Sequence, residues 1–147
     1  MRYLYMDARR FGNVQGLTIK GTRRIYDAFY SSAGMLFAQR GGFFRPYHDA
    51  VFRRFWNHDI ELDDLAAISG IVTEFGGSAG DFEAYVEGPA RAEHDRIIDE
   101  AESLGVFGVP TMVFNGELFW GGDRIPQLIE RIRDPSTADL ALGRNRA

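Results

Sequence analysis

The sequence contains no cysteine. Disulfides, thiolate metal sites and a cysteine nucleophile among these residues are thereby excluded. It contains no apolar run approaching the ~20 residues of a membrane span. No leader-like segment follows Met1, which opens onto mixed polar sequence. A soluble cytoplasmic protein without membrane partners is the default expectation. Positive charge is not in excess: the net charge is −4, which argues against a nucleic-acid partner. The basic pairs Arg9-Arg10 and Arg53-Arg54 are too few for a phosphate-binding patch. Histidine is scarce, and His48, His58 and His94 show no metal-ligand spacing, so no metal site is expected. Ser31 and Ser32 fall in mid-helix without a neighbouring base, so neither reads as a nucleophile.

What the chain does have is aromatic bulk. Twelve phenylalanines among 147 residues point to a greasy core or interface. A chain of this length forms one domain and buries about two-thirds of its unfolded surface. Apolar periodicity predicts helices over 1–13, from a Thr22 cap to 39, over 43–57, 62–75, about 81–87 and 89–104. In the second of these Ile25, Phe29, Ala33, Leu36 and Phe37 share a face. In the long helix after Gly88-Pro89 the inward residues are Ile97, Ile98, Ala101 and Leu104. Asp63-Asp64 and the acidic run around Glu100 read as helix-start charge and a solvated face. Residues 134–147 read as a flexible tail.

The period changes only at residues 105–124, GVFGVPTMVFNGELFWGGDR. Two runs of strand formers, Thr111–Phe114 and Glu117–Trp120, flank Asn115-Gly116, the favoured two-residue hairpin signal. Asp123 is placed to cap a last helix over about 124–132, with Pro126 in its first turn. The expected fold is mainly α with a small β hairpin. A lone hairpin is marginal in water, and its outer edge invites another strand.

A proline immediately before a strand, then a tight turn, a second strand and a helix, resembles the second half of a thioredoxin fold. The stretch as a whole resembles the DsbA-like superfamily, and within it the 2-hydroxychromene-2-carboxylate isomerases, relatives of kappa-class glutathione transferases. Val109-Pro110 matches that family's cis-proline loop. Phe119-Trp120-Gly121-Gly122-Asp123-Arg124 matches its Trp-Gly-x-Asp-Arg turn. Phe52-Arg53-Arg54-Phe55-Trp56 with Asp59-Ile60 resembles its helical insertion, and Asp7 with Arg10 resembles the helix that enters it. The likeness spans residues 1–133: an insertion over about 14–104, then the C-terminal half of a thioredoxin fold over about 105–133. The family's opening strand, its loop with the catalytic serine (cysteine in the redox enzymes), the following helix and a second strand have no counterpart in the sequence, which therefore reads as a truncated domain without a catalytic residue of its own.

The resemblance implies a glutathione-dependent isomerase of aromatic catabolism acting on a small aromatic substrate, impaired as an isolated chain. In such enzymes the thiolate of glutathione, or of another low-molecular-weight thiol, adds to the substrate so that a carbon–carbon bond can rotate. The implied cofactor-binding residues are Val109, Pro110, Gly122 and Asp123, with Trp120 and Arg124 at the substrate pocket. Each has a plainer reading beside this one: Val109-Pro110 as a turn that starts a strand, Asp123 as a cap, Trp120 as core, Arg124 as a solvated surface charge. Two further functions stay open, a fragment of a DsbA-like thiol-disulfide oxidoreductase and a non-catalytic helical interaction module. In a thioredoxin sheet the strand Thr111–Phe114 has a neighbour on each side, so a homodimer pairing this strand with itself is expected.

Overall fold

The computed structural model describes residues 2–137, with the side chains of Arg2 and Thr137 left aside. Most of the predicted tail, residues 138–147, lies outside the described residues. The elements run α1 (Arg2–Val14), α2 (Phe29–Gly41), α3 (Phe44–Trp56), α4 (Leu65–Glu74), α5 (Ala79–Glu87), α6 (Ala90–Ser103), β1 (Thr111–Phe114), β2 (Glu117–Trp120) and α7 (Ile125–Arg133). A 3₁₀ turn at Gly122–Arg124 leads into α7. The chain divides into two compact units, residues 1–94 and 95–147.

In the first unit α2 packs on α3, α4 and α5. The core is formed by Phe29, Ala33, Tyr47, Ile68, Val72 and Phe82 with their neighbours. Two of its helices begin on side-chain caps, and α4 begins at Leu65 rather than at the expected 62. Asp64 caps α4, accepting from the N–H groups of Ala66 at 2.9 Å and Ala67 at 3.1 Å. Ser78 caps α5, accepting from Asp81 N–H at 3.2 Å. Tyr47 is deeply buried and donates to the Ser31 carbonyl at 3.0 Å, and burial raises its hydroxyl well above the ordinary tyrosine value.

The segment before α2 departs from expectation. Residues 22–27 are not helical, and Ile25 is 97% exposed instead of facing the core. The Thr22 hydroxyl is hydrogen-bonded to the Tyr5 hydroxyl, 2.7 Å away. Arg24 is drawn to Asp63, at 2.6 and 2.7 Å. These ties to distant residues hold the segment out of a helix. The helix starts later, where Asp27 accepts from Phe29 N–H at 2.9 Å.

In the second unit β1 and β2 form a two-stranded antiparallel sheet. Thr111 lies opposite Trp120 and Phe114 opposite Glu117. Asn115 and Gly116 turn the chain with φ of 50° and 79°, the positive values that a tight two-residue hairpin demands. Of the residues expected to face inward, Ile97 and Ile98 of α6 and Leu104 just after it stay 37%, 43% and 50% exposed.

Candidate functional site

The hairpin register builds the site. Because Thr111 pairs with Trp120, the residues just outside the ladder, Pro110 and Gly121, meet as well. Gly121 N–H donates to the Pro110 carbonyl at 2.9 Å. The Val109-Pro110 peptide bond is cis. The proline loop and the Gly-Gly-Asp-Arg turn therefore stand side by side, and Val109, Pro110, Gly122, Asp123, Trp120 and Arg124 share one end of the hairpin.

Val109 is 88% exposed, and its backbone N–H and carbonyl form no hydrogen bond among the described residues. A backbone left bare in this way can pair with another peptide-like chain. Across from it, Gly122 and Asp123 open the 3₁₀ turn that continues into α7. The first N–H groups of such a turn have no partner within the helix and suit a carboxylate.

Asp123 does not act as the expected cap. Its side chain bonds no backbone N–H at the start of α7, which begins instead from Arg124 with Pro126 in its first turn. The reason is the intervening 3₁₀ turn: Arg124 N–H reaches the Gly121 carbonyl at 3.1 Å, so Asp123 lies inside the turn and not before it. Its carboxylate is 72% exposed and stands 3.2 Å from Arg124 Nη1. It also leans back over Gly121, where a Cβ would sit 2.4 Å from Asp123 Oδ1.

Trp120 is half exposed and lies edge-on to Phe107, with ring centroids 5.0 Å apart. It crosses Gly108 so closely that a Cβ there would meet the indole nitrogen at 2.7 Å. Sequence reasoning missed Phe107 and Gly108 as neighbours of the site, since nothing in their spacing marks them. It also missed Thr111, whose hydroxyl donates to the Gly108 carbonyl at 2.6 Å and closes the proline loop. Among the described residues no group of three or more His, Cys, Asp or Glu is placed to hold a metal. No helix among them is long and apolar enough to cross a membrane.

This is a thioredoxin-like α+β arrangement: a proline-led strand, a tight hairpin and a closing helix, preceded by a helical unit. The family model of the DSBA-like thioredoxin domain matches residues 1–133, and the chain belongs to that family. Two 2-hydroxychromene-2-carboxylate isomerases are similar over 130 residues. The one from Pseudomonas sp. (strain C18) is 31% identical, over 84% of this chain and 58% of its own length. The one from Pseudomonas putida is 30% identical, over 84% of this chain and 61% of its own. The chain thus spans about three-fifths of the length of these relatives. A solved 2-hydroxychromene-2-carboxylate isomerase superposes with a TM-score of 0.74 at 23% identity, covering 96% of this chain and 70% of that one, and shares the fold.

Proposed function

We propose that the chain is the thiol-holding part of a glutathione-dependent isomerase of the 2-hydroxychromene-2-carboxylate isomerase kind, acting on a small aromatic substrate. The observation that carries this reading is the hydrogen bond from Gly121 N–H to the Pro110 carbonyl, which sets the bare Val109 backbone beside an open helix start. The residues fit a small peptidic thiol. Val109 offers an unpaired N–H and carbonyl to its cysteinyl part. The N–H groups of Gly122 and Asp123 suit a carboxylate, and the exposed Asp123 carboxylate suits an ammonium group. When bound, glutathione or another small thiol supplies the nucleophilic sulfur. Trp120 and Phe107 present an apolar wall to an aromatic ring, and Arg124 stands at its border.

The isolated chain is expected to hold the thiol and turn over poorly. The hydroxyl nearest the loop, that of Thr111, is already committed to the Gly108 carbonyl. The names of the relatives support the isomerase reading over an oxidoreductase one. We further infer a homodimer in which the β1 strands of two copies pair, because each strand of this sheet has a neighbour on one side only among the described residues. Calorimetric titration of the purified chain with glutathione tests the thiol site. Saturable heat that Asp123→Ala abolishes supports it; no heat at millimolar glutathione overturns it for the chain as it stands.

A further inference from the structure

The first unit holds a cleft that the thiol site does not use. It encloses about 560 Å³ and is lined by Asp27, Phe29 and Tyr30 at the entry to α2, by Asp63 ahead of α4, by Glu87 at the end of α5 and by Arg91 in the first turn of α6. That volume holds a small molecule with part of its hydration shell.

The apolar part of the cleft is firmly backed. Tyr30 and Val86 pack against the buried core from the lining. Phe29 is 7% exposed, and one face of its ring is taken: the Arg91 guanidinium lies over it, with Cζ 3.5 Å from the ring centroid. This contact fixes where the guanidinium stands. Stacking uses one of its flat faces and leaves the in-plane N–H groups for an anion. It also denies that ring face to a flat aromatic guest.

The charges of the lining do not balance. Asp63 is committed: Arg24 Nη1 and Nη2 donate to its two oxygens at 2.6 and 2.7 Å and hold its carboxyl below the ordinary aspartate value. Asp27 accepts from Phe29 N–H at 2.9 Å and pairs with no cation among the described residues. Glu87 and Arg91 form no hydrogen bond or ion pair among the described residues, with each other or with any other group. Two carboxylates and one guanidinium are therefore left uncommitted in one cleft.

The helix ends agree in sign. Glu87 closes α5, where free carbonyls favour a cation, and Arg91 lies in the first turn of α6, where free N–H groups favour an anion. A guest that satisfies this lining carries one carboxylate and two cationic groups on a short apolar stem. Among the described residues no group of three or more His, Cys, Asp or Glu is placed to hold a metal ion. A phosphate dianion would meet the charges of Asp27 and Glu87. A plain diamine would leave Arg91 unanswered and be repelled by it.

We propose that this cleft binds a free basic α-amino acid of the lysine type, its carboxylate on Arg91, its two ammonium groups on Asp27 and Glu87, and its methylenes against Tyr30 and Val86. The site shares no residue with the thiol site, so the two stand or fall separately.

The test is titration of the full chain with L-lysine at low salt, followed by amide chemical-shift changes and by calorimetry. Expected are saturable binding in the millimolar range or tighter and shifts centred on Val86, Glu87 and Arg91. Norleucine lacks the second ammonium, cadaverine lacks the carboxylate, and a peptide ending in lysine lacks the free α-ammonium there. Each should bind at least tenfold more weakly. Glu87→Gln and Arg91→Gln should each bind L-lysine at least tenfold more weakly, while Asp123→Asn binds it as the parent chain does. Glu87 is exposed and unbonded, so Glu87→Gln should keep the circular dichroism of the parent chain, and it carries the test should Arg91→Gln, which loses the stack on Phe29, fail to fold. Absence of saturable binding, unchanged affinity in Glu87→Gln, equal affinity for norleucine, cadaverine or the peptide, or loss in Asp123→Asn would each overturn the proposal.

Discussion

Arg131 of α7 grips Glu117 of β2 at both carboxylate oxygens, with Nη2 2.9 Å from Oε1 and Nε bonded to Oε2. Arg131 is 8% exposed, so the pair ties the closing helix to the hairpin under partial cover. The fork holds the Glu117 carboxyl below the ordinary glutamate value. A depressed folded value contributes stability that is complete above the unfolded value, about 4.3. That contribution is lost as pH falls through the folded value. The parent chain should therefore resist urea better than Glu117→Gln at neutral pH. The gap between their midpoints should close as pH falls below about 4. A gap that stays constant down to acid would show that the charge on Glu117 is not what matters.

Two helical glycines make opposite predictions. Gly34 in α2 lies against the buried ring of Tyr47: a Cβ would fall 2.1 Å from its hydroxyl and 2.6 Å from Cζ. Gly70 in α4 is exposed, and a Cβ there would meet nothing within 4 Å. Gly70→Ala should gain about 0.5–1 kcal/mol from helix propensity alone. Gly34→Ala receives the same propensity gain but must push Tyr47 off the Ser31 carbonyl, a net loss of about 1–3 kcal/mol. Chemical denaturation of the two variants side by side decides it, and equal signs would refute the packing account.

Gly121 couples backbone to site. Its φ is 103°, a value that side-chain-bearing residues avoid, and a Cβ would meet Asp123 Oδ1 at 2.4 Å. Gly121→Ala should cost about 1–2 kcal/mol in stability and should also turn the Asp123 carboxylate away. Glutathione affinity should fall in this variant by at least as much as in Asp123→Asn. Unchanged affinity in Gly121→Ala would detach the carboxylate from the thiol site.

What could be read beforehand was local, and what could not was long-range. The Asn115-Gly116 turn lies within a few residues of what it organises, so the sequence displays it. The meeting of Pro110 with Gly121 follows from the register that the turn sets, and so was implicit in the same stretch. The start of α2 was not legible. Thr22 reads as a cap until Tyr5, 17 residues away, takes its hydroxyl, and Arg24 finds Asp63 at a separation of 39. Asp123 misled for a subtler reason. Its residue type and position suit a cap, yet a 3₁₀ turn one step earlier moves it inside the helix start. Arg9 read as half of a surface pair, whereas its guanidinium pins residues 19 and 20.

The proposed strand-to-strand dimer gives the last prediction. With Pro110 bonded to Gly121 and Met112 opposite Phe119, alternation along an antiparallel pair turns the N–H and carbonyl of Thr111 and Val113 away from β2. Those are the groups a second copy of β1 would use. Proline is tolerated on an edge strand where its missing N–H faces away from the ladder. Val113→Pro should therefore leave the β1–β2 hairpin and the helical content intact while removing an outward donor at the centre of the dimer seam. Sedimentation at micromolar concentration should show a dimer for the parent chain and a monomer for Val113→Pro. A parent chain that sediments as a monomer refutes the pairing outright. A variant that stays dimeric moves the interface elsewhere, since a symmetric seam loses the same donor twice, once from each copy.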